Sequence, residues 1–413
     1  MKRIAVIGGG VSGLVAAWRL GETHDVVLFE REGRVGGHTR TVEVTRGEDS
    51  WRVDVGFIVF NDRTYPEFNR MLDTLGLGRQ PSSMGFSVSS PVTGVEYSGD
   101  GLGGLFARRA NLFSPAHWRM LAEILRFNRR ALALLDSAEG ELPLGEYLER
   151  EGYSERFRSH YILAMGGAIW SCGEARMEDF PARFFVRFLA NHGLLQLRDR
   201  PQWFVVPGGS DTYVQRMLER MKASVRTATA VSGVRRGEDG VMVGTAAGVE
   251  RFDEVVFACH SNQALALLDD ADELERDMLG AIEWEENEVV LHTDTSLLPR
   301  CRRAWSSWNA RVDGDHDRTR LTYNMNILQG IEAPVTFCVT LNSTDRIDPE
   351  SVIDRYHFSH PAFTPSGIEG RRKVEEHNGR RNSWFCGAWC RYGFHEDGVV
   401  SALRVVEALE KGS

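Results

Sequence analysis

Three glycines define the first chemistry available to this chain. Gly8, Gly10 and Gly13 are spaced G-x-G-x-x-G, with Val11 and Ser12 inside the spacing. The first permits a tight turn, the second lets backbone approach a pyrophosphate, and the third lets a helix lie close on a sheet. An acid follows at ribose-binding distance: Glu30, with Arg31 beside it, can accept both hydroxyls of an adenosine. A second pair, Gly36 and Gly37, comes directly after that acid and leads into His38 and Thr39. Such residues in this order predict binding of a dinucleotide.

The elements that must position them can be read around the glycines. Residues 2–7 are a β-branched apolar run, read as a buried parallel strand. Residues 11–20 read as a helix whose N-terminal amides face the phosphates, and 25–30 as a second buried strand. A single nicotinamide domain has no need of the second glycine pair. A flavin enzyme of the glutathione-reductase type does, because that loop runs along the pyrophosphate and ribityl chain. Residues 53–57 then bring a strand and turn, Gly56-Phe57, back towards the cofactor. Glycine is in excess, with 42 in 413 residues, and the glycines of these loops recur in two later segments. Gly208-Gly209 precedes a helix and the strands expected over 225–236, 240–245 and 252–258. Gly387, Gly393 and Gly398 surround a strand at 384–389 and a final helix over 399–410.

The fold class expected is α/β: a discontinuous FAD-binding Rossmann domain with an inserted α+β substrate domain. The cofactor domain is assigned to 1–75, 200–265 and 371–413, and the substrate domain to 76–199 and 266–370.

With these segments the chain resembles the flavin amine oxidase and phytoene desaturase superfamily. The resemblance implies non-covalent FAD, with Val231 to Val234 passing beside the adenine. It also implies that the last helix aims the amides of Gly398 and Val399 at the flavin, stabilising its reduced charge. The match is closer to bacterial stand-alone flavoproteins similar to the N-terminal flavin domain of plant cyclopropane fatty acid synthases. It is carried by Gly56-Phe57-Ile58-Val59-Phe60-Asn61, Ile169-Trp170-Ser171-Cys172, Asn191-His192-Gly193, Trp305-Ser306-Ser307-Trp308-Asn309 and Tyr392-Gly393-Phe394-His395-Glu396-Asp397-Gly398, among others. The methyltransferase half of the plant enzyme has no counterpart here, so any methylation falls to another polypeptide.

That resemblance implies a lipid substrate: dehydrogenation of an unsaturated, methylated or cyclopropanated acyl chain, as in furan fatty acid formation. Amine oxidases of the superfamily usually keep a lysine near the flavin. The counterpart strand here, Glu288-Val289-Val290-Leu291-His292, has none of the four lysines (Lys2, Lys222, Lys373, Lys411) near it. Two further readings stand beside the acyl one: an amine oxidase releasing peroxide, and a non-catalytic flavoprotein partner of a methyltransferase. His395 and Glu396, just before the final helix, are the polar candidates for catalysis, against a role in capping that helix. His292 is a third, against the structural role usual for a histidine on an apolar strand. Trp170, Trp203, Trp305, Trp308 and Tyr323 are candidates to line an acyl tunnel, against ordinary core packing. His260 reads as a loop-end hydrogen bonder.

Bulk properties bound the partners. The net charge of −9 does not favour nucleic acid. Six scattered cysteines without a CxxC argue against a zinc site, so no metal is expected, and they fit a reducing cytoplasm. The apolar run at the start stops at Gly8, too soon for a signal peptide, and no stretch reaches the length of a membrane span. Residues 105–135 are different: six arginines face one acid, Glu123, with Trp118, Leu121, Leu125, Leu132 and Leu135 at helical spacing. This reads either as a helix packed on the substrate domain or as a peripheral contact with the inner face of a membrane.

Overall fold

A computed structural model of the chain describes residues 1–170, 173–196, 198–314 and 320–411. Ser171 and Cys172 of the tryptophan string lie outside the described residues.

Five parallel strands run in the order Ser224–Arg226, Asp25–Phe29, Arg3–Ile7, Glu254–Phe257, Ser383–Phe385. The central strand is buried on both faces. Ile4 and Val6 pack with the helices Val11–Leu20 and His395–Lys411, while Ala5 and Ile7 pack against Val234, Val241 and Val243. Alternate side chains of one strand thus serve two layers, which explains its unbroken apolar sequence. The second layer includes a three-stranded antiparallel meander, Val231–Gly237, Gly240–Thr245 and Gly248–Phe252.

Two expected strands are each divided. The stretch 225–236 breaks at Ala228, whose φ is +49° and whose amide donates to the Glu32 carbonyl. Its first part joins the parallel sheet and its second the meander. The stretch 252–258 divides at Asp253, whose amide donates to the Arg3 carbonyl.

A separate seven-stranded mixed sheet runs Val352–Pro361, Trp284–His292, Cys338–Leu341, Arg320–Asn324, Trp308–Arg311, Phe86–Ser89, Glu96–Ser98. It draws on both sequence segments assigned to the substrate domain, joined where Trp308–Arg311 runs parallel to Phe86–Ser89. The helices Pro115–Arg130, Leu163–Trp170 and Ala182–Asn191 pack beside it around Phe127, Phe157 and Phe185. A small sheet pairs Trp203–Val205 with both Val59–Asn61 and Gln80–Ser82. A boundary after residue 75 therefore crosses a hydrogen-bonded sheet.

Candidate active site

The C-terminal ends of the central strands open on a cavity of about 1030 Å³, lined by Gly8, Glu30, Ala258 and Gly387, each one or two residues past a strand. This is where open parallel sheets bind ligands. Gly10, Val11 and Ser12 line it as expected. A side-chain carbon at Gly13 would fall on the Gly8 carbonyl oxygen, so this glycine sets the helix-to-strand approach without touching the cavity. At Gly10 the same carbon would meet open space.

The second glycine pair is fastened to the first loop. The Gly36 amide donates to the Gly9 carbonyl at 2.7 Å, and Gly37, at φ +54°, packs on the Gly10 α-carbon. Both glycines have positive φ, a conformation that costs other residues 1–2 kcal/mol or so. Arg34 secures the loop by donating to the Gly37 and Thr39 carbonyls at 2.9 and 3.1 Å. Glu30 accepts from the Gly9 amide at 2.7 Å and the Glu32 amide at 2.9 Å, which orients its carboxylate beside Arg31 and Val231 on the cavity wall. Val234 is buried in the meander core and does not line the cavity.

Further along, Gly56, Phe57, Gly387 and His395 form the next part of the wall. The His395 ring stacks on Phe57 with centroids 3.6 Å apart and planes 6° apart. Its Nε2 lies 2.6 Å from the Tyr213 hydroxyl, which is also 2.6 Å from the Thr39 hydroxyl. Burial pushes His395 down to about 3, which favours the neutral imidazole. Thr39 is fully buried and belongs to this chain of hydroxyls, not to the cavity surface.

Several expected roles are corrected. Glu396 does not line the cavity: its two oxygens accept from the amides of Glu67 and Phe68 at 3.0 and 2.9 Å. It caps the helix Pro66–Leu75, and its carboxyl is raised above its ordinary value by burial. His292 is fully buried, with Nε2 2.7 Å from the Thr340 hydroxyl and Nδ1 accepting from the Asp294 amide at 3.1 Å. Both ring nitrogens are used, away from the cavity. The final helix spans His395–Lys411, beginning earlier than expected, so the Gly398 amide is already bonded to the Phe394 carbonyl. Gly398 packs on Val11 and Ser12, and Val399 is buried in the same cluster; the free first-turn amides belong to residues 395–397. Trp305 donates to the Pro299 carbonyl at 2.7 Å and does not reach the cavity.

The other four aromatics do line it: Trp170, Trp203, Trp308 and Tyr323. The indole nitrogens of Trp170 and Trp308 are buried with no partner among the described residues. Phe188, which no sequence pattern marks as a cavity residue, also lines the cavity and stacks on His192 at 3.9 Å and on Phe394 at 5.0 Å. Tyr213 and His360 likewise carry no mark in the local spacing of the sequence. His260 also lines the cavity: its ring stacks on Trp284 at 3.9 Å, and its backbone amide donates to the Gln263 side chain at 3.3 Å at the start of the helix Ser261–Leu267.

These residues fit a dinucleotide. Gly10 is bare towards the cavity, Glu30 stands at one end, and the buried Nε2 of His38 beside the glycine pair has no partner among the described residues. Sheet, paired glycine loops and acid together define an FAD-binding oxidoreductase. Residues 11–284 match the family model for flavin containing amine oxidoreductases, and the chain belongs to that family as an FAD-dependent enzyme.

Protoporphyrinogen oxidase 2 of Arabidopsis thaliana is 42% identical over 77 residues, which is 18% of this chain and 14% of that protein. The matched stretch is thus a small part of the relative's length. Among solved structures, a CLA-producing fatty acid isomerase from P. acnes superposes with TM-score 0.70 at 16% identity, over 98% of each chain. Cyclohexylamine oxidase from Brevibacterium oxydans superposes with TM-score 0.69 at 14% identity, over 99% of each. At these identities the likeness concerns the fold. No helix among the described residues is long and apolar enough to cross a membrane.

Proposed function

We propose that this flavoenzyme dehydrogenates an apolar acyl chain. The observation that carries the reading is the wall beyond His395, built from Trp170, Phe188, Trp203, Trp308, Tyr323 and Phe394, with no lysine in it. All four lysines pair elsewhere: Lys2 with Glu254, Lys222 with Glu22, Lys373 with Asp277 and Lys411 with Glu407. Bound FAD supplies the two-electron acceptor. The chain's own residues exclude water and hold the substrate against the Phe57–His395 wall, where the neutral imidazole presents no charge to an apolar chain. Arg200, exposed and without a carboxylate partner among the described residues, also lines the cavity and suits the anionic end of such a substrate.

That a fatty acid isomerase shares the fold supports the scaffold's capacity for acyl chains. A separate methyltransferase acting on the same lipids belongs to this proposal only through the sequence resemblance to the flavin domain of cyclopropane fatty acid synthases. Amine oxidation with release of peroxide is the second reading, favoured by the exposed Asp100 carboxylate on the cavity wall. Anaerobic mixing of the yellow protein with phospholipids, free fatty acids or amines separates the two. Flavin bleaching by acyl compounds is expected. Bleaching by amines alone, with peroxide formed on admitting oxygen, would overturn the acyl reading.

A further inference from the structure

We infer that residues 101–132 form a docking face for an anionic membrane surface, next to a mouth of the cavity. Six of the ten exposed large apolar side chains among the described residues fall in this stretch: Leu102, Leu112, Phe113, Trp118, Leu125 and Leu132. Phe113 is 87% exposed and Leu102 76%. Isolated apolar residues on a surface are ordinary, but a concentration of this kind marks an interaction site.

Packing accounts for the exposure. The helix Pro115–Arg130 buries His117, Met120, Glu123 and Phe127 against the substrate-domain core, which turns Trp118 and Leu125 outward on the opposite stripe. Leu132 continues that stripe beyond the helix end. A ring contact of 5.0 Å between Phe106 and Trp118 joins this helix to the short helix Gly101–Leu105.

Charge selects the occupant. Glu123 is the one acid among residues 101–132, and it is buried, taken up by Arg119 and Ser154. Arg130 pairs with Glu151 at 2.7 Å, and Arg126 lies over the Tyr153 ring. Arg109 and Arg129, both exposed, have no carboxylate partner among the described residues. Exposed aromatics among unpaired arginines, on a chain of net charge −9, complement an anionic lipid headgroup layer. The face also adjoins the cavity: Gly99 and Asp100 are exposed, line it, and lead directly into Gly101. Docking itself does not depend on the acyl reading; delivery of an acyl chain from the bilayer would.

The FAD-loaded full chain is floated with vesicles of phosphatidylcholine alone or mixed with phosphatidylglycerol. Two double variants are compared, Arg109→Glu with Arg129→Glu, and Phe113→Ser with Trp118→Ser; flavin spectrum and melting temperature confirm folding. Capture by the anionic vesicles at low salt is expected, weakened by salt and reduced about tenfold or more in each variant. No capture at low salt, or capture that either folded variant leaves unchanged, would overturn the proposal. A dimer that the Phe113→Ser, Trp118→Ser variant dissociates, without vesicle capture, would assign the face to a second copy and overturn it equally. Vesicle capture without flavin reduction by any acyl lipid would leave docking standing and remove the proposed function.

Discussion

Asp54 is fully buried two residues before Gly56, and its carboxylate accepts from the Thr41 hydroxyl, the Ser210 amide and hydroxyl, and the Gln329 side chain. Burial pushes it up to about 7, so these donors and the lack of water pull in opposite directions. Asp54→Ala leaves the donors buried and unpaired, which is expected to cost about 3 kcal/mol or more in denaturant unfolding and to loosen FAD retention. For Glu396→Ala the expected loss is ~1 kcal/mol of stability, as for other lost helix caps, with kcat close to wild type. A thousandfold fall in kcat with an intact flavin spectrum would restore Glu396 as a catalytic residue. Gly8, Gly10 and Glu30 were legible in the sequence because cofactor geometry fixes their spacing. Asp54, Tyr213 and Gln329 were not, because their partners lie far away along the chain and leave no local pattern.

Among elements, the final helix shows why a boundary can mislead. Asp397 lies in the first turn of the helix, and its carboxylate accepts from the Phe394 amide at 3.0 Å. The turn is made earlier, at Gly393 with φ +88°. Gly398 is therefore a contact residue between two helices: a β-carbon there would meet the Val11 side chain at 2.7 Å. Gly398→Ala is expected to destabilise the fold by about 1–3 kcal/mol through overpacking, seen as a lower melting temperature. An unchanged melting temperature would show that the helices can separate at no cost. The parallel strands were readable from their apolar runs. The divisions at Ala228 and Asp253 were not, since each rests on a backbone bond to a distant strand or loop.

For the whole molecule, burial sets the response to acid. His38, His160, His192, His260, His292, His360 and His395 are all pushed down by burial to about 3 or 4. Above about pH 6.5, the ordinary histidine value, both states are neutral and the stability these residues contribute is fully present. As pH falls below that value the unfolded chain takes up protons that the folded chain refuses, and the contribution is lost through the folded values. Asp54, raised to about 7, and Asp397, raised to about 6, act in the opposite sense, since the folded chain holds their protons more tightly. The seven buried histidines outnumber the two raised aspartates, so unfolding at pH 5 is expected to take up protons net and the melting temperature to fall from pH 7 to pH 5. A melting temperature independent of pH over that range would contradict this burial. The discontinuous cofactor domain could be anticipated from glycines in three separated segments; the substrate layer could not be drawn in detail, because its packing has no comparable fingerprint.

The most direct test of the account is a single-turnover experiment without oxygen, in which the FAD-loaded protein is titrated with an acyl phospholipid or fatty acid. Flavin reduction and the mass of the acyl product are followed together. One flavin is expected to be reduced for each acyl chain that loses two hydrogens, with Trp170→Ala or Trp308→Ala weakening the acyl titration while FAD stays bound. Flavin that stays oxidised with every acyl compound, and is reduced by an amine in proportion to the aldehyde or ketone formed, would contradict it.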